Sequence, residues 1–133
     1  MNDTGFLGRL GARLTQTLES SDAEEIESYA RQEGGDAVSR CSCGQSVEIV
    51  GRIRSLTYGL SDDELGVTAE VFDGTASVDV VWLGRRSIPG IEVGRCLRVS
   101  GRISVSGGKR IIYNPRYELR GDTIVPSRDG LGK

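Results

Sequence analysis

Two runs of alternating apolar and polar residues meet at Asp73 and Gly74, near the middle of the chain. A period of two is typical of β-strands, because successive side chains of a strand point to opposite faces. An Asp-Gly pair between two such runs favours a tight hairpin. The residues that share the apolar parity are Val67, Ala69, Val71, Val78, Val80 and Trp82. The sequence therefore predicts an antiparallel hairpin with an apolar inner face and an outer face on which to look for a ligand.

Three further alternating stretches predict a small barrel around this hairpin. They begin at Ser46, Leu97 and Lys109, and they give a first, a fourth and a fifth strand. Gly51 and Gly101 lie inside the first and fourth strands, where glycine often marks a sharp bend. The 19 glycines and the 37% hydrophobic content fit short strands and a small core. Five strands, two of them bent, with a connector after the third predict a mainly β fold, a five-stranded Greek-key barrel of the OB-fold type.

The N-terminal segment has a helical period instead. Apolar residues recur every three or four positions, and this spacing predicts helix within residues 4–33. Ser21 and Glu24 have the spacing of a capping box, and Gly34 and Gly35 favour a stop. The first apolar stripe consists of Phe6, Leu7, Leu10, Leu14 and Leu18. The predicted organisation is a helical extension over residues 1–35, a linker over 36–45, the barrel over 46–120 and a flexible tail over 121–133.

Charge is distributed unevenly along the chain. Residues 1–43 carry four basic and eight acidic side chains, whereas residues 44–121 carry eleven basic and nine acidic ones. A basic β region hints at a polyanionic partner, although a solvated surface explains so small an excess equally well. No apolar run approaches the ~20 residues of a membrane span, and the charged first 20 residues predict no secretory signal. We therefore expect a cytoplasmic protein with no membrane partner.

Three segments of the β region resemble OB-fold nucleic-acid-binding domains. They are VEIVGRI at residues 47–53, VFDGTASVDVVW at 71–82 and VGRCLRVSGRI at 93–103. Similar patterns occur in the anticodon-binding domains of aminoacyl-tRNA synthetases, in the wedge domain of branch-migrating helicases and in subunits of bacterial replicative polymerases. The ending IIYNPRYEL at 111–119 is similar to that of the helicase wedge, and VWLGRRSIPGI at 81–91 resembles small stand-alone OB-fold proteins of actinobacteria.

The resemblance covers roughly residues 46–119, and it implies binding of single-stranded DNA or RNA on the face of the second and third strands. Basic side chains there would neutralise phosphates, and aromatic ones would stack bases at ~1–3 kcal/mol each. The candidate binding residues are Arg52, Arg54, Tyr58, Phe72, Arg85, Arg86, Arg102, Lys109 and Arg110. Glu70 and Asp79 have outward parity and place negative charge on the same face. The binding is therefore predicted to be weak or partner-assisted.

The aromatic residues have more than one interpretation. Phe72 has outward parity just before the turn, so it either stacks a base or caps the end of the barrel. Trp82 has the parity of the core, whereas Tyr113 and Tyr117 are expected to pack against the barrel with their hydroxyls outside. Tyr58 follows the first strand in a polar loop, and it is the aromatic residue that we most expect to be exposed.

Catalysis and metal binding are not expected. The chain has no histidine, and neither a phosphate-binding loop nor a nucleophile elbow is present. Cys41, Cys43 and Cys96 are one ligand short of a four-ligand zinc site, so we expect them to be free thiols. The acidic run from Asp62 to Glu64 is expected to be solvated. These features predict a protein that is not an enzyme and needs no cofactor.

Three functions are open at this point. The leading one is a non-enzymatic nucleic-acid-binding module. In its rival, a protein-interaction module, the acidic N-terminal helices dock a protein partner, or fold over the barrel and block its groove. The third is an accessory subunit that presents the first apolar stripe to another chain.

Overall fold

The computed structural model describes residues 14–17, 23–59 and 64–121. Over these residues the chain is mainly β, as predicted, with eight strands, one α-helix and one short 3-10 helix. The strands are Leu14–Thr17 (β1), Ser46–Tyr58 (β2), Gly66–Phe72 (β3), Ser77–Leu83 (β4), Cys96–Arg102 (β5), Ser104–Ser106 (β6), Lys109–Tyr113 (β7) and Arg116–Leu119 (β8). The α-helix (α1) is Ala23–Gln32, and the 3-10 helix is Val38–Arg40. Within the described residues, no helix is long and apolar enough to cross a membrane.

Seven of the strands lie side by side in one sheet, in the order β6-β7-β4-β3-β2-β5-β8, and β1 pairs with β2 off this path. Neighbouring strands are antiparallel, except that β4 and β7 are parallel. The predicted hairpin is confirmed, because β3 and β4 pair continuously from Gly66 and Leu83 to Phe72 and Ser77. The hairpin lies in the middle of the sheet order, so strands on both sides of it border its outer face.

Strand β2 is long and changes partners along its length. It pairs with β5 up to Arg52 and with β3 from Arg52 onward. Gly51 lies at this change, and a Cβ atom there would come within 2.6 Å of the carbonyl oxygen of Phe72. The register with β3 also shifts between Ile53 and Ser55, as it does at a β-bulge. Glycine and the bulge together let one strand serve two neighbours.

The described residues contain three strands, β1, β6 and β8, beyond the five that the sequence predicts. The predicted fourth strand is divided at Ile103, whose amide donates to the carbonyl of Gln45 instead of to a neighbouring strand. β5 lies before this residue and β6 after it. β8 forms because the chain after Pro115 pairs with β5. β5 and β6 are therefore consecutive in the chain but far apart in the sheet. β6 is the first strand of the sheet order, and β5 is next to the last.

The prediction of helix over residues 4–33 is wrong at Leu14–Thr17, which form strand β1. This strand pairs with residues 55–58 of β2, along the part of β2 that lies beyond its pairing with β5. Pairing of the backbone with an open strand edge outweighs the helical spacing of the apolar residues. The β-branched Thr15 and Thr17 also favour a strand over a helix.

Helix α1 lies within the predicted helical range and packs against β2. Ile26 and Ala30 form its buried face. Arg98 of β5 donates a hydrogen bond to the carbonyl of Glu33, just beyond the helix, and Arg120 forms an ion pair with the Glu33 side chain. Cations suit this position, because the last carbonyls of a helix lack intrahelical partners. The rest of the predicted extension, with most of its apolar stripe, and the tail beyond residue 121 lie outside the described residues.

The core is small and mostly aliphatic, as the composition predicts. Trp82 lies within it, 5% exposed, as its parity predicts. Tyr117 meets the Trp82 ring edge-on, with 5.6 Å between the ring centroids. The Trp82 Nε1 donates to the carbonyl of Pro115, and the Tyr117 hydroxyl donates to the carbonyl of Pro89. Tyr117 therefore packs against the core of the sheet, and its hydroxyl lies outside that core.

The turn of the hairpin spans residues 73–76 and is closed by the buried side chain of Asp73. Its Oδ1 accepts hydrogen bonds from the amide and the hydroxyl of Thr75 and from the amide of Ala76. Its Oδ2 accepts a 2.8 Å hydrogen bond from the amide of Val38, in the 3-10 helix. Asp73 therefore ties the turn to the connection between α1 and β2.

Candidate functional site

A polar groove of about 370 Å³ lies on the outer face of the β3–β4 hairpin. Strand β2 borders one side of the groove, and the turn between β6 and β7 borders the other. The lining residues are Ser55, Thr57, Thr68, Glu70, Ser77, Asp79, Gly108, Lys109 and Arg110. Hydroxyl and charged side chains dominate this lining, so the groove suits a hydrated, polar ligand.

Strand alternation and register place two carboxylates side by side on this face. The inner face of β3 is buried, so Thr68 and Glu70 point outward, as their parity predicts. Glu70 lies directly opposite Asp79 of β4. Side chains of directly opposed residues in an antiparallel pair are close neighbours, about 5 Å apart at Cβ. Like charges at such a separation repel unless the surroundings compensate them.

Glu70 is well compensated. The Arg54 Nη2 lies 3.0 Å from its Oε2, and the Ser77 hydroxyl donates to the same oxygen at 2.9 Å. The Ser55 hydroxyl donates to Oε1 at 3.2 Å. Burial disfavours the charged form, but the hydrogen bond from Ser77, the charge of Arg54 and the bond from Ser55 outweigh it. The pKa of Glu70 therefore lies below its usual value.

Asp79 is poorly compensated. The nearest cation is Lys109, whose Nζ lies 3.9 Å from Oδ2, beyond hydrogen-bonding distance. Its side chain accepts no hydrogen bond from any residue that the structure describes. Burial raises the pKa of Asp79. The positive charge of Lys109 lowers it by a smaller amount, and the negative charge of Glu70 across the strand pair raises it again. The groove therefore contains one saturated carboxylate and one open one.

Arg54 and Phe72 lie together at the β2 side of the hairpin face. The Arg54 guanidinium carbon is 4.2 Å from the centroid of the Phe72 ring, in a cation–π contact. The same guanidinium pairs with Glu70. Both residues are candidates from the sequence, and the structure brings them together, but each is already in contact with the other. One face of the Phe72 ring is covered by Arg54 and is not free to stack on a base.

Lys109 and Arg110 border the other side of the groove and make different contacts. The Lys109 side chain is 74% exposed, and Asp79 is its partner. The Arg110 guanidinium instead donates to the carbonyls of Cys41 and Ser39, each at 3.2 Å. Adjacent residues of a strand point to opposite faces, so the difference follows from their position on β7. Lys109 is the more accessible cation of the pair.

Of the nine candidates only Lys109 and Arg110 line the groove, and four of the others lie away from the face of the hairpin or are half-buried. Arg85 and Arg86 are exposed in the connection after β4, and neither forms an ion pair with a residue that the structure describes. Arg102 lies at the end of β5, where its Nη1 donates to the carbonyl of Gly44. Tyr58 is half-buried against the core, so the expectation that it would be the most exposed aromatic residue is wrong. Its ring is drawn onto the core at the end of β2.

Arg52 is a candidate with an unusual environment. It lies at the change of partners in β2, opposite Phe72 on one side and Cys96 on the other. Its Nε atom is buried and has no hydrogen-bond partner among the described residues. A buried donor without a partner is costly, so Arg52 is held there by the surrounding strands and not by its own pairing.

Tyr113 is an exposed aromatic residue beside the groove, outside its lining, that the sequence prediction did not name as a candidate. It was expected to pack against the barrel, but it is 48% exposed. It ends β7 and lies beside Val81 of β4 in the parallel pair. Its neighbour Ile112 is fully buried, so alternation turns Tyr113 to the outer face that carries the groove. The parity of Ile112 within β7 was the signal that could have identified it.

Helix α1 does not cover the groove. The residues that line the groove include none from α1. The helix instead begins against the turn of the hairpin, where the Cα of Gly74 faces Ala23 and Glu27. Among the described residues, the acidic helix and the groove therefore occupy separate parts of the surface.

Comparisons of this chain with protein-family models, with curated proteins and with solved structures found no match. The described residues also contain no group of three or more His, Cys, Asp or Glu side chains placed to hold a metal ion. Cys41, Cys43 and Cys96 form no disulfide, and the Cys41 thiol donates to the carbonyl of Ala37. Burial raises the pKa of the Cys41 thiol.

Replacing Glu70 by glutamine is expected to lower the free energy of unfolding by about 1 kcal/mol at pH 7, because a charge-assisted pair is lost from a partly exposed site. The native pKa of Glu70 is lowered, so its stabilising effect is present above the ordinary value of 4.5 and is lost as pH falls through the lowered value. Thermal unfolding between pH 3 and 7 checks this. The stability of Glu70→Gln should depend less on pH than that of the parent. The stability of Glu92→Gln, changed at an exposed site outside the groove, should follow the parent at every pH. Equal profiles for all three proteins would contradict the assignment.

Proposed function

We propose that the protein is a non-enzymatic binder of single-stranded DNA or RNA, built on a barrel of the OB-fold type. The observation that carries this proposal is the position of the polar groove. It lies on the outer face of the β3–β4 hairpin and is bordered by the β6–β7 turn, which is where OB-folds bind oligonucleotides. The cytoplasmic location of the protein stays a prediction.

The pairing of the strands supports the OB-type barrel. A long bent strand, β2, is shared between β3 and β5. β4 and β7 are parallel, and β6 continues β5 after Ile103. The strand order therefore leads from β6 through β7, β4, β3 and β2 back to β5, the strand from which β6 continues. This path is compatible with a small barrel, although β5 and β6 do not pair and the sheet of the described residues is not closed.

The charges at the groove support binding that is weak or needs a partner. Lys109 is the accessible cation of the groove, and Arg85 and Arg86 are exposed beyond the end of β4. Arg54 is already paired with Glu70. Asp79 adds a negative charge that only Lys109, at 3.9 Å, compensates. Few cations are therefore available, and the affinity should depend on salt with a shallow slope.

Fluorescence anisotropy with labelled dT12 and rU12 across a salt series tests the proposal. With roughly three phosphates neutralised, log Kd should change with log salt with a slope of about 2 in magnitude, since each contact on a single strand contributes about 0.7. Lys109→Gln should weaken binding and reduce the slope by about 0.7. Arg116→Gln is the matched control, because Arg116 is an exposed cation on β8, outside the groove. Absence of binding at low salt, or equal effects of the two variants, would count against the proposal.

A protein-interaction module is the second candidate, and the open carboxylate of Asp79 favours it. A groove with a weakly compensated negative charge suits a basic segment of a partner. The acidic first turn of α1, with Glu24 and Glu25, is a separate negative surface that a second basic segment could contact. A labelled lysine-rich peptide should then bind at low salt, and Asp79→Asn should abolish this binding. That result, together with no binding of oligonucleotides, would favour this candidate over the first.

A further inference from the structure

The two carboxylates on the face of the hairpin differ in the hydrogen bonds that they accept. Both oxygens of Glu70 already accept hydrogen bonds, from Ser55 at Oε1 and from Arg54 and Ser77 at Oε2. Asp79 accepts none from the residues that the structure describes, although its side chain is only 26% exposed. The Asp79 oxygens have only the distant charge of Lys109 opposite them, so a ligand that brings N–H donors could hydrogen-bond to them. Asp79 is therefore the carboxylate of the groove that is open to a donor.

An exposed aromatic ring lies next to this acceptor. Asp79 pairs with Ile111 of β7, and Val81 pairs with Tyr113, two residues further along the same strands. Neighbouring strands lie about 4.8 Å apart and rise about 3.3 Å per residue, so the backbones of Asp79 and Tyr113 are roughly 8 Å apart, within reach of long side chains. Tyr113 is the half-exposed aromatic residue of this face, and Lys109 lies on the other side of Asp79. An aromatic surface, an acceptor and a cation thus follow one another along β7 and β4.

The arrangement fits an unpaired nucleobase better than a metal ion. A divalent cation needs several open oxygen ligands, and the oxygens of Glu70 are already engaged. A base that stacks on an aromatic ring presents its Watson–Crick edge to nearby side chains. Guanine is the base whose edge carries two adjacent donors, N1–H and N2–H, which match the two oxygens of one carboxylate. Adenine and cytosine offer one amino group each, and the N3–H of thymine or uracil lies between two carbonyls that repel a carboxylate.

We propose that Asp79 selects guanine in a single strand, with the base stacked on Tyr113 and the adjoining phosphate near Lys109. This inference rests on the proposed nucleic-acid function and adds a base preference to it. Lys109 attracts the strand without regard to sequence, whereas Asp79 distinguishes between bases. The repulsion between Asp79 and the phosphate backbone is then offset only when a guanine is present.

Anisotropy with three labelled 11-mers tests the proposal: dT11, the same strand with a central guanine, and the same strand with a central hypoxanthine, which lacks the N2 amino group. The guanine strand should bind about tenfold more tightly than dT11, as expected for one bidentate contact, and the hypoxanthine strand should fall between them. Tyr113→Leu should weaken all three, because the stacking surface is lost.

Two variants with the same change in net charge separate base selection from general electrostatics. Asp79→Asn should abolish the preference for guanine, while Glu92→Gln, outside the groove, should retain it. Thermal unfolding followed by circular dichroism checks that both variants are folded. Equal affinity for the three strands, or a preference that survives in Asp79→Asn, overturns the inference while the proposed function stands. Absence of binding by every strand at low salt overturns both.

Discussion

Replacing Asp73 by alanine is expected to lower the free energy of unfolding by about 3–5 kcal/mol. The side chain is 2% exposed and accepts hydrogen bonds from three backbone amides and one hydroxyl. Alanine would leave the buried amide of Val38 and the partly buried amides of Thr75 and Ala76 without this acceptor. A fully buried unsatisfied donor costs about 1–3 kcal/mol, and a partly buried one costs less. The loss would release the turn of the hairpin and the 3-10 helix together.

Urea unfolding followed by the fluorescence of the single tryptophan, Trp82, measures this effect. Asp36→Ala is the matched control, because the Asp36 carboxylate accepts one backbone hydrogen bond, from Glu48, at an exposed position. That variant should lose about 1 kcal/mol. Asp73→Asn should fall between the two, since the amide keeps one acceptor oxygen. If Asp73→Ala lost no more stability than Asp36→Ala, the buried network would not stabilise the turn as described.

Replacing Gly74 by alanine is expected to lower the free energy of unfolding by about 3 kcal/mol or more. Gly74 has a φ of +94°, which costs an L-residue about 1–2 kcal/mol by itself. In addition, a Cβ atom would lie 2.5 Å from the carbonyl oxygen of Ala23 and 2.6 Å from the amide nitrogen of Glu27. Both are backbone atoms of α1, so the helix as a whole would have to move away.

The control for Gly74 is Gly84→Ala. Gly84 also has a positive φ, of +74°, but nothing lies within 4 Å of its added Cβ. This variant should show the cost of backbone conformation alone, about 1–2 kcal/mol. The difference between the two urea midpoints, at equal slope, then reports the contact with α1. Similar losses in both variants would mean that α1 yields easily and does not depend on its contact with the hairpin.

The sequence was sufficient to predict the hairpin and the core, because these depend on local alternation. Val67, Val71 and Trp82 are buried as their parity requires. The sequence was not sufficient for β1, whose residues have a helical spacing and become a strand only because β2 has an open edge. A partner so distant in the chain leaves only a weak local signal at Leu14–Thr17, the two β-branched threonines.

The candidate site was predicted in position but not in its internal contacts. Parity placed Glu70, Phe72 and Asp79 on the outer face, and the structure confirms this placement. Parity alone gave both carboxylates the same role, as negative charges that weaken the binding of a nucleic acid. The structure instead shows Glu70 neutralised by Arg54, an arrangement that depends on the register of β2 against β3 beyond its bulge. Register after a bulge cannot be deduced from periodicity, since the extra residue reverses the faces.

The change of partners along β2 has a consequence for the order in which the nascent chain folds. The second half of β2 gains its partner as soon as β3 has been synthesised, at Phe72. The first half has to wait for β5, which ends at Arg102. During this interval residues 46–51 have an unpaired strand edge. Three of these residues, Val47, Ile49 and Val50, are buried in the finished fold. The ribosome-bound chain is therefore most exposed to wrong pairing while the connector after β4 is being made, and that interval is when a chaperone would matter most.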